Sequence, residues 1–223
     1  IGELAIAVEE MGRALLCAPF FASTVMAATA ILKAGSEDQK QLLLPDIAAG
    51  ETIATLAVAE EDGTWDGSNV STTAKESGGK YTIDGKKRFV LDGCTAGLIV
   101  VLARSANGLS FFTVKADAAG LERCALNSMD PTRKLAQLTF NSVEAELLGK
   151  EGGAADPLAG TLDVSSICLA NEMVGGAERL RESAVEYANM RVQFGRAIGS
   201  FQSLKHKAAD MLLDVELAKS AAY

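Results

Sequence analysis

Residues 187–223 read YANMRVQFGRAIGSFQSLKHKAADMLLDVELAKSAAY. An apolar pattern of helical period runs up to Met190, glycines bound a turn from Gly195 to Gly199, and a second periodic run begins after Ser200. The spacing predicts an αα-hairpin. Arg191 then closes the first helix and Gln202 falls in the first turn of the second. A guanidinium, the Phe194 ring and a carboxamide therefore share one end of the helix pair. Two readings are open. A guanidinium fork matches phosphate oxygens bidentately and an aromatic face stacks on a flat ring, which suits a ligand carrying both a diphosphate and a planar system. The alternative is an ordinary hairpin with a capping arginine and a core phenylalanine.

The string Arg191-x-Gln193-Phe194-Gly195-Arg196-x-Ile198-x-x-Phe201-Gln202, continuing into Lys205-His206-x-x-Ala209-Asp210-Met211, resembles the C-terminal-domain signature of the acyl-CoA dehydrogenases. Two further segments agree with it in order and spacing. Gly35-Ser36-Glu37-Asp38-Gln39-Lys40, through Leu44-Pro45 and Gly50-Glu51, resembles the helix and loop leading into that family's central β-domain. Tyr81-Thr82-Ile83-Asp84-Gly85-Lys86-Lys87 resembles the hairpin of that domain. The resemblance covers nearly the whole chain but not a whole family member, because members carry more helix before Ile1 and several helices after Tyr223. A partial chain is the expectation. The fold implied is α+β and acyl-CoA dehydrogenase-like. A helical N-terminal segment spans 1–54, a central antiparallel β-barrel or sandwich 55–154, and the start of a C-terminal helical bundle 155–223.

The chemistry implied by the resemblance is FAD-dependent α,β-dehydrogenation of an acyl-CoA thioester, in which a glutamate removes the α-proton as the β-hydride passes to the flavin. The implied partners are acyl-CoA, homologous subunits in a dimer or tetramer, and an acceptor like electron-transfer flavoprotein. In the family's assembly a neighbouring protomer donates the arginine and glutamine of the helix hairpin to the flavin. Arg191, Phe194 and Gln202 match that donated half and are the expected cofactor-binding residues.

The half that members contribute in cis departs from the pattern. Where they carry Thr-Glu-Pro-x-x-x-Ser-Asp, this chain reads Ala59-Glu60-Glu61-Asp62-Gly63-Thr64-Trp65-Asp66. A methyl replaces a hydroxyl, and an indole replaces a serine in space a cofactor would fill. Where they carry Trp-Ile-Thr, Phe89, Val90 and Leu91 stand. Asp163 is followed by Val164, Ser165 and Ser166 without the family's arginine, and Ser165 stands where some members place their glutamate. No catalytic residue is nominated, and the base is expected beyond Tyr223. Glu172 and Glu178 read as solvent-facing or salt-bridged helix acids. The functions that follow are a subunit completing a partner's FAD site, an independent dehydrogenase with variant flavin contacts, an acyl-CoA oxidase-like flavoprotein, and, behind these, a non-enzymatic scaffold.

Composition narrows the field independently. With 48% hydrophobic residues in 223, the chain can bury a sizeable core. A net charge of −8, with no run of five basic residues, excludes a nucleic-acid surface. Positive mean hydropathy in so acidic a chain points to apolar faces that a partner covers. Cys17, Cys94, Cys124 and Cys168 lie far apart, with His206 the one histidine, so a metal site is not expected. They read as reduced, buried thiols of a cytoplasmic protein. No dinucleotide-type GxGxxG and no Walker A motif occurs. His206, between Lys205 and Lys207, reads as part of a solvated helix face rather than a triad member. Residues 14–32 carry no charge and approach bilayer length. Pro19 interrupts that run and Ser23, Thr24 and Thr29 dilute it, so two buried helices broken at Pro19 are expected, with no membrane span.

Local signals predict helices over 1–16 and 22–34, the second capped by Gly35. Ser36 and Gln39 form a capping box for a third helix that stops before Gly50. Strands are expected over 53–59, 70–75, 81–84, 87–91, 98–103, 110–115 and 135–140, with Asp84-Gly85 as a hairpin turn. A linker over 149–156 precedes a long helix reaching Met190, with Leu162, Leu169, Met173, Ala177, Leu180 and Ala184 as its apolar stripe.

Overall fold

The computed structural model describes residues 2–223. Two compact units emerge, one formed by Cys17–Val164 and one by Ile1–Leu16 together with Ser165–Tyr223.

In the Cys17–Val164 unit a π-helical segment, Phe21–Ala27, runs into α2, Ala28–Ala34. The uncharged stretch thus supplies core: Ala22, Val25, Ala30 and Ile31 are buried. Among the described residues no helix is long and apolar enough to cross a membrane. Ser23 ties this helix to the sheet, its hydroxyl accepting the Ala54 N–H at 3.0 Å. Gly35 caps α2 in extended rather than left-handed backbone (φ −68°, ψ 149°). Glycine is needed there because a Cβ would stand 2.8 Å from the Ile31 carbonyl oxygen.

Helix α3, Glu37–Ala49, starts with the expected capping box. Ser36 Oγ accepts the Gln39 N–H at 3.3 Å and Gln39 Oε1 accepts the Ser36 N–H at 3.0 Å. Gly50 ends the helix with a left-handed φ of 75°. Gln39 has a second task. Its Nε2 donates to the Leu147 carbonyl at 2.7 Å and its Oε1 also accepts the Gly149 N–H at 2.9 Å. Gln39→Ala is therefore expected to cost about 2 kcal/mol against about 1 for Ser36→Ala, a difference readable from urea midpoints.

Seven strands follow: β1 Ala54–Ala57, β2 Thr73–Ser77, β3 Lys80–Leu91, β4 Leu98–Ser105, β5 Gly108–Lys115, β6 Leu121–Ala125 and β7 Leu135–Leu148. Their order is β1-β4-β2-β3-β7-β5, with β6 on β7, and β4 also pairs with β5, which curls the sheet into a barrel-like form. Most pairings are antiparallel as expected, whereas β1 runs parallel to β4 and β2 meets β4 in parallel at Thr73–Arg104. The Asp84-Gly85 turn is corrected: β3 runs through it. The chain reverses at Gly78-Gly79 (φ 63° and 82°), where Ser77 faces Lys80. Gly85 serves a close approach instead, since a Cβ would meet Thr72 Cα at 2.7 Å.

Strand β4 is buried on both faces. Leu98, Val100 and Leu102 join a cluster with Met26, Ile31, Leu56 and Phe111, while Ile99, Val101 and Ala103 join Ile83, Phe112, Leu138 and Phe140. Double burial explains why this segment reads as a continuous apolar run.

The other unit holds α1, Gly2–Arg13, the greater part of α4, Ala155–Met190, and α5, Gln202–Ala222. Helices α1 and α4 touch backbone to backbone. A Cβ on Gly12 would lie 2.0 Å from the Glu172 carbonyl oxygen, and one on Gly175 1.9 Å from that of Glu9. Polar clasps surround the crossing. Arg13 pairs with Glu182 at 2.6 Å, and the buried Glu9 carboxylate accepts from Lys219 Nζ at 2.6 Å and Tyr223 Oη at 2.5 Å. The expected apolar stripe of α4 holds at Leu162, which packs against the core cluster, and is corrected beyond it. Leu169, Met173 and Leu180 face outward, while Ser165, Cys168, Asn171, Val174 and Gly175 form the buried line. Small side chains permit so close a crossing, and leucines would hold the helices apart. The cysteine expectation is corrected too: Cys168 is buried, whereas Cys17, Cys94 and Cys124 are exposed.

Candidate cofactor-binding residues

Helix α4 ends at Met190, and the Arg191 N–H still donates to the Tyr187 carbonyl at 2.8 Å. The expected helix hairpin is present, with a small ribbon set into its connection: β8, Val192–Gln193, pairs antiparallel with β9, Arg196–Ala197. Phe194 and Gly195 form the turn, both left-handed (φ 52° and 78°). A short 3₁₀ turn, Ile198–Ser200, then leads to Gln202, the first residue of α5. The 3₁₀ turn folds back on α4, since a Cβ on Gly199 would stand 3.1 Å from the Ala188 carbonyl oxygen.

This geometry displays Phe194 rather than burying it. Its ring is 92% exposed and meets Phe201 edge-on, centroids 6.1 Å apart. Arg196 lies over the Phe201 ring at 4.1 Å, so Phe201 is the ring that organises the tip. A left-handed, solvent-exposed phenylalanine is an uncommon conformation. Arg191 and Gln202 are exposed as well. Among the described residues, neither the Arg191 guanidinium nor the Gln202 carboxamide is engaged by another side chain. The core-phenylalanine reading is thereby set aside at Phe194.

The β-unit presents the opposite picture at 59–66 and 87–91. Ala59 is buried, and its carbonyl accepts the Arg88 N–H at 2.9 Å. Glu60 is saturated. Its Oε1 takes the Thr72 N–H at 2.9 Å, Thr72 Oγ1 at 2.8 Å and Lys87 Nζ at 2.9 Å, and its Oε2 takes the Ser71 N–H at 2.9 Å and the Ser71 hydroxyl. Burial pushes this carboxyl up, but the Ser71, Lys87 and Thr72 hydrogen bonds prevail and hold it at about 2. Lys87 is fully buried and also donates to the Val58 carbonyl at 2.9 Å. Burial draws its ammonium down to about 8 against the pull of Glu60. Sequence reasoning missed this pair. The available signal was parity, for Lys87 shares the inward face of β3 with Ile83.

Beyond Lys87 the strand bulges, and Phe89 takes a left-handed φ of 57°. Arg88 pairs with Glu61 and lies 5.3 Å over the Phe89 ring. Asp62 collects Thr64 Oγ1 at 2.6 Å and Asn69 Nδ2 at 2.9 Å. Val90 is buried, and Leu91 and Trp65 pack against the core cluster containing Val58, Val70 and Leu158. On α4, Glu178 is salt-bridged to Arg181 at 2.6 Å as expected, and Glu172 is half-buried at the α1 crossing. His206 lies exposed on α5.

Three family models match in chain order: the acyl-CoA dehydrogenase N-terminal domain over residues 1–51, the middle domain over 55–143 and the C-terminal domain over 153–223. The chain belongs to the acyl-CoA dehydrogenase family. An acyl-CoA dehydrogenase of Bacillus subtilis (strain 168) is 33% identical over 207 residues, which cover 86% of this chain and 54% of the relative. Butyryl-CoA dehydrogenase from Megasphaera elsdenii superposes with a TM-score of 0.93 at 29% identity, covering 98% of this chain and 61% of its own. A chain in the structure described as the electron transferring flavoprotein of Acidaminococcus fermentans gives a TM-score of 0.92 at 33% identity, covering 98% and 61%. The chain thus spans about half the length of the curated acyl-CoA dehydrogenase it matches first.

The acyl-CoA dehydrogenase fold implies a flavin, and the two groups of residues answer it differently. The hairpin tip fits: an uncommitted guanidinium, a carboxamide and an exposed ring suit a diphosphate next to a flat heterocycle. The β-unit does not fit. Its carboxylates and hydroxyls are spent on each other, and methyl or apolar groups stand where the family offers hydroxyls.

Proposed function

We propose that this chain is a subunit of an FAD-dependent acyl-CoA dehydrogenase, and that it completes the FAD site of a homologous partner subunit in a dimer or tetramer. The observation that supports this reading is the tip itself, where Arg191, Phe194 and Gln202 are exposed and uncommitted while Glu60 and Asp62 of the β-unit are engaged by their own neighbours. Arg191 would grip the diphosphate with its fork, Phe194 would stack on a ring of the dinucleotide, and Gln202 would hydrogen-bond to it. Bound FAD supplies the hydride acceptor for α,β-dehydrogenation of the acyl-CoA thioester. This chain's part is to bind and orient. Neither Glu60, saturated and held at about 2, nor Glu178, tied to Arg181, serves as the base. The proton acceptor comes from elsewhere in the assembly. An electron-transfer flavoprotein-like acceptor is proposed for the electrons, and a cytoplasmic setting for the exposed thiols.

Arg191→Ala tests the assignment. In the assembled complex it should weaken FAD binding about 10- to 100-fold, the worth of lost charge-assisted hydrogen bonds. The melting of this chain alone should not move, because the side chain is exposed. Unchanged FAD affinity in the complex would overturn the reading.

A further inference from the structure

We propose that the face formed by residues 59–66 and 87–91 is closed on itself, and that this chain holds no flavin of its own. The proposal deepens the function above, since it rests on a partner carrying the cofactor. Three observations converge on it.

The two segments are bound to each other. The Arg88 N–H meets the Ala59 carbonyl at 2.9 Å, Lys87 Nζ meets the Val58 carbonyl and Glu60 at 2.9 Å each, and Arg88 pairs with Glu61. The loop also rests by the bulge, because a methyl on Gly63 would touch Phe89 Cε2 at 3.8 Å. The ring of Phe89 has loop backbone on one side and is overlain by the Arg88 guanidinium at 5.3 Å. Finally, the neutral side-chain donors are consumed: the Thr64 and Ser71 hydroxyls and the Asn69 amide all serve Asp62 or Glu60, which leaves the buried Arg88 Nε as the donor without a partner among the described residues. A pyrimidine edge needs donors and acceptors that a methyl at Ala59 and an isobutyl at Leu91 cannot provide.

Flavin stoichiometry decides the matter. The full chain is co-purified with its flavin-bearing homologous subunit, and the flavin released on denaturation is counted against both polypeptides. One flavin per two chains is expected; one per chain overturns the proposal. Arg191→Ala in the same complex separates the two readings. If it leaves flavin retention intact at one per pair, the donated half fails while the closed face stands. A second measurement uses the chain alone. Trp65 is its sole tryptophan, so its emission reports on this face as FAD is titrated. After inner-filter correction no saturable quenching is expected, and saturable quenching with one flavin bound per chain would overturn the closure.

Discussion

Glu60→Ala is expected to lower stability by about 3 to 5 kcal/mol, because it leaves the Lys87 ammonium buried without its counter-charge. Lys87 has no exposed side-chain surface, and the Val58 carbonyl would be its remaining partner. Lys87→Met should be milder. It removes the buried cation outright, and Glu60 keeps its Ser71 and Thr72 donors. The double variant should recover much of the Glu60→Ala loss, and a double-mutant cycle in urea unfolding measures that coupling. Losses that simply add in the double variant would show the pair to be unimportant as a pair.

The pH dependence has two signs. Glu60 titrates at about 2 in the fold against 4.5 normally, so its contribution is present above pH 4.5 and lost as pH falls toward 2. Lys87 titrates at about 8 against 10.5, so between those values the unfolded chain binds more protons and stability rises with pH. In Glu60→Ala the ammonium has lost the partner that raises its pKa, so it sheds its proton below pH 8, and the deficit should shrink as pH rises toward 8.

Gly175→Leu should cost about 3 kcal/mol or more, at the upper end of overpacking effects. Even a Cβ there would lie 1.9 Å from the Glu9 carbonyl oxygen, which is rigid backbone, so α1 must move away from α4. Separation of the helices would also strain the Glu9–Lys219 and Arg13–Glu182 contacts. The neighbouring Gly176 is the control. Its Cβ would sit 3.7 Å from the Gly12 carbonyl oxygen, an ordinary contact. Gly176→Ala should gain about 0.5 to 1 kcal/mol from helix propensity. Thermal melts followed by circular dichroism should shift in opposite directions for the two variants.

Features encoded within a few residues are legible in the sequence. Ser36 and Gln39 form their box, Gly50 turns left-handed, and the connection between α4 and α5 falls where the glycines put it. Features set by distant partners are not. Asp84-Gly85 carries a strong local turn signal, yet Gly85 answers to Thr72 across the sheet. Strand β6, Leu121–Ala125, was missed because its residues are largely exposed and charged, which gives no alternating apolar signal. Of the α4 stripe, Leu162 packs on the core, but Leu169, Met173 and Leu180 do not line the α1 crossing, because hydrophobicity counts leucines whereas that crossing is made by glycines. In the candidate site, Arg191, Phe194 and Gln202 stood out because their spacing is local to one hairpin. The Glu60–Lys87 and Glu61–Arg88 pairs, 27 residues apart in each case, did not.

The make-up of the unit that joins Ile1–Leu16 to Ser165–Tyr223 sets an order of events during synthesis. Glu9, Gly12 and Arg13 leave the ribosome early, yet Gly175, Glu182 and Lys219 are translated more than 150 residues later. The contiguous Cys17–Val164 stretch can settle meanwhile, as domains generally do while the chain grows. The glycine contact of α1 with α4, and then the Glu9–Lys219 pair with α5, can form only after those later segments have been made.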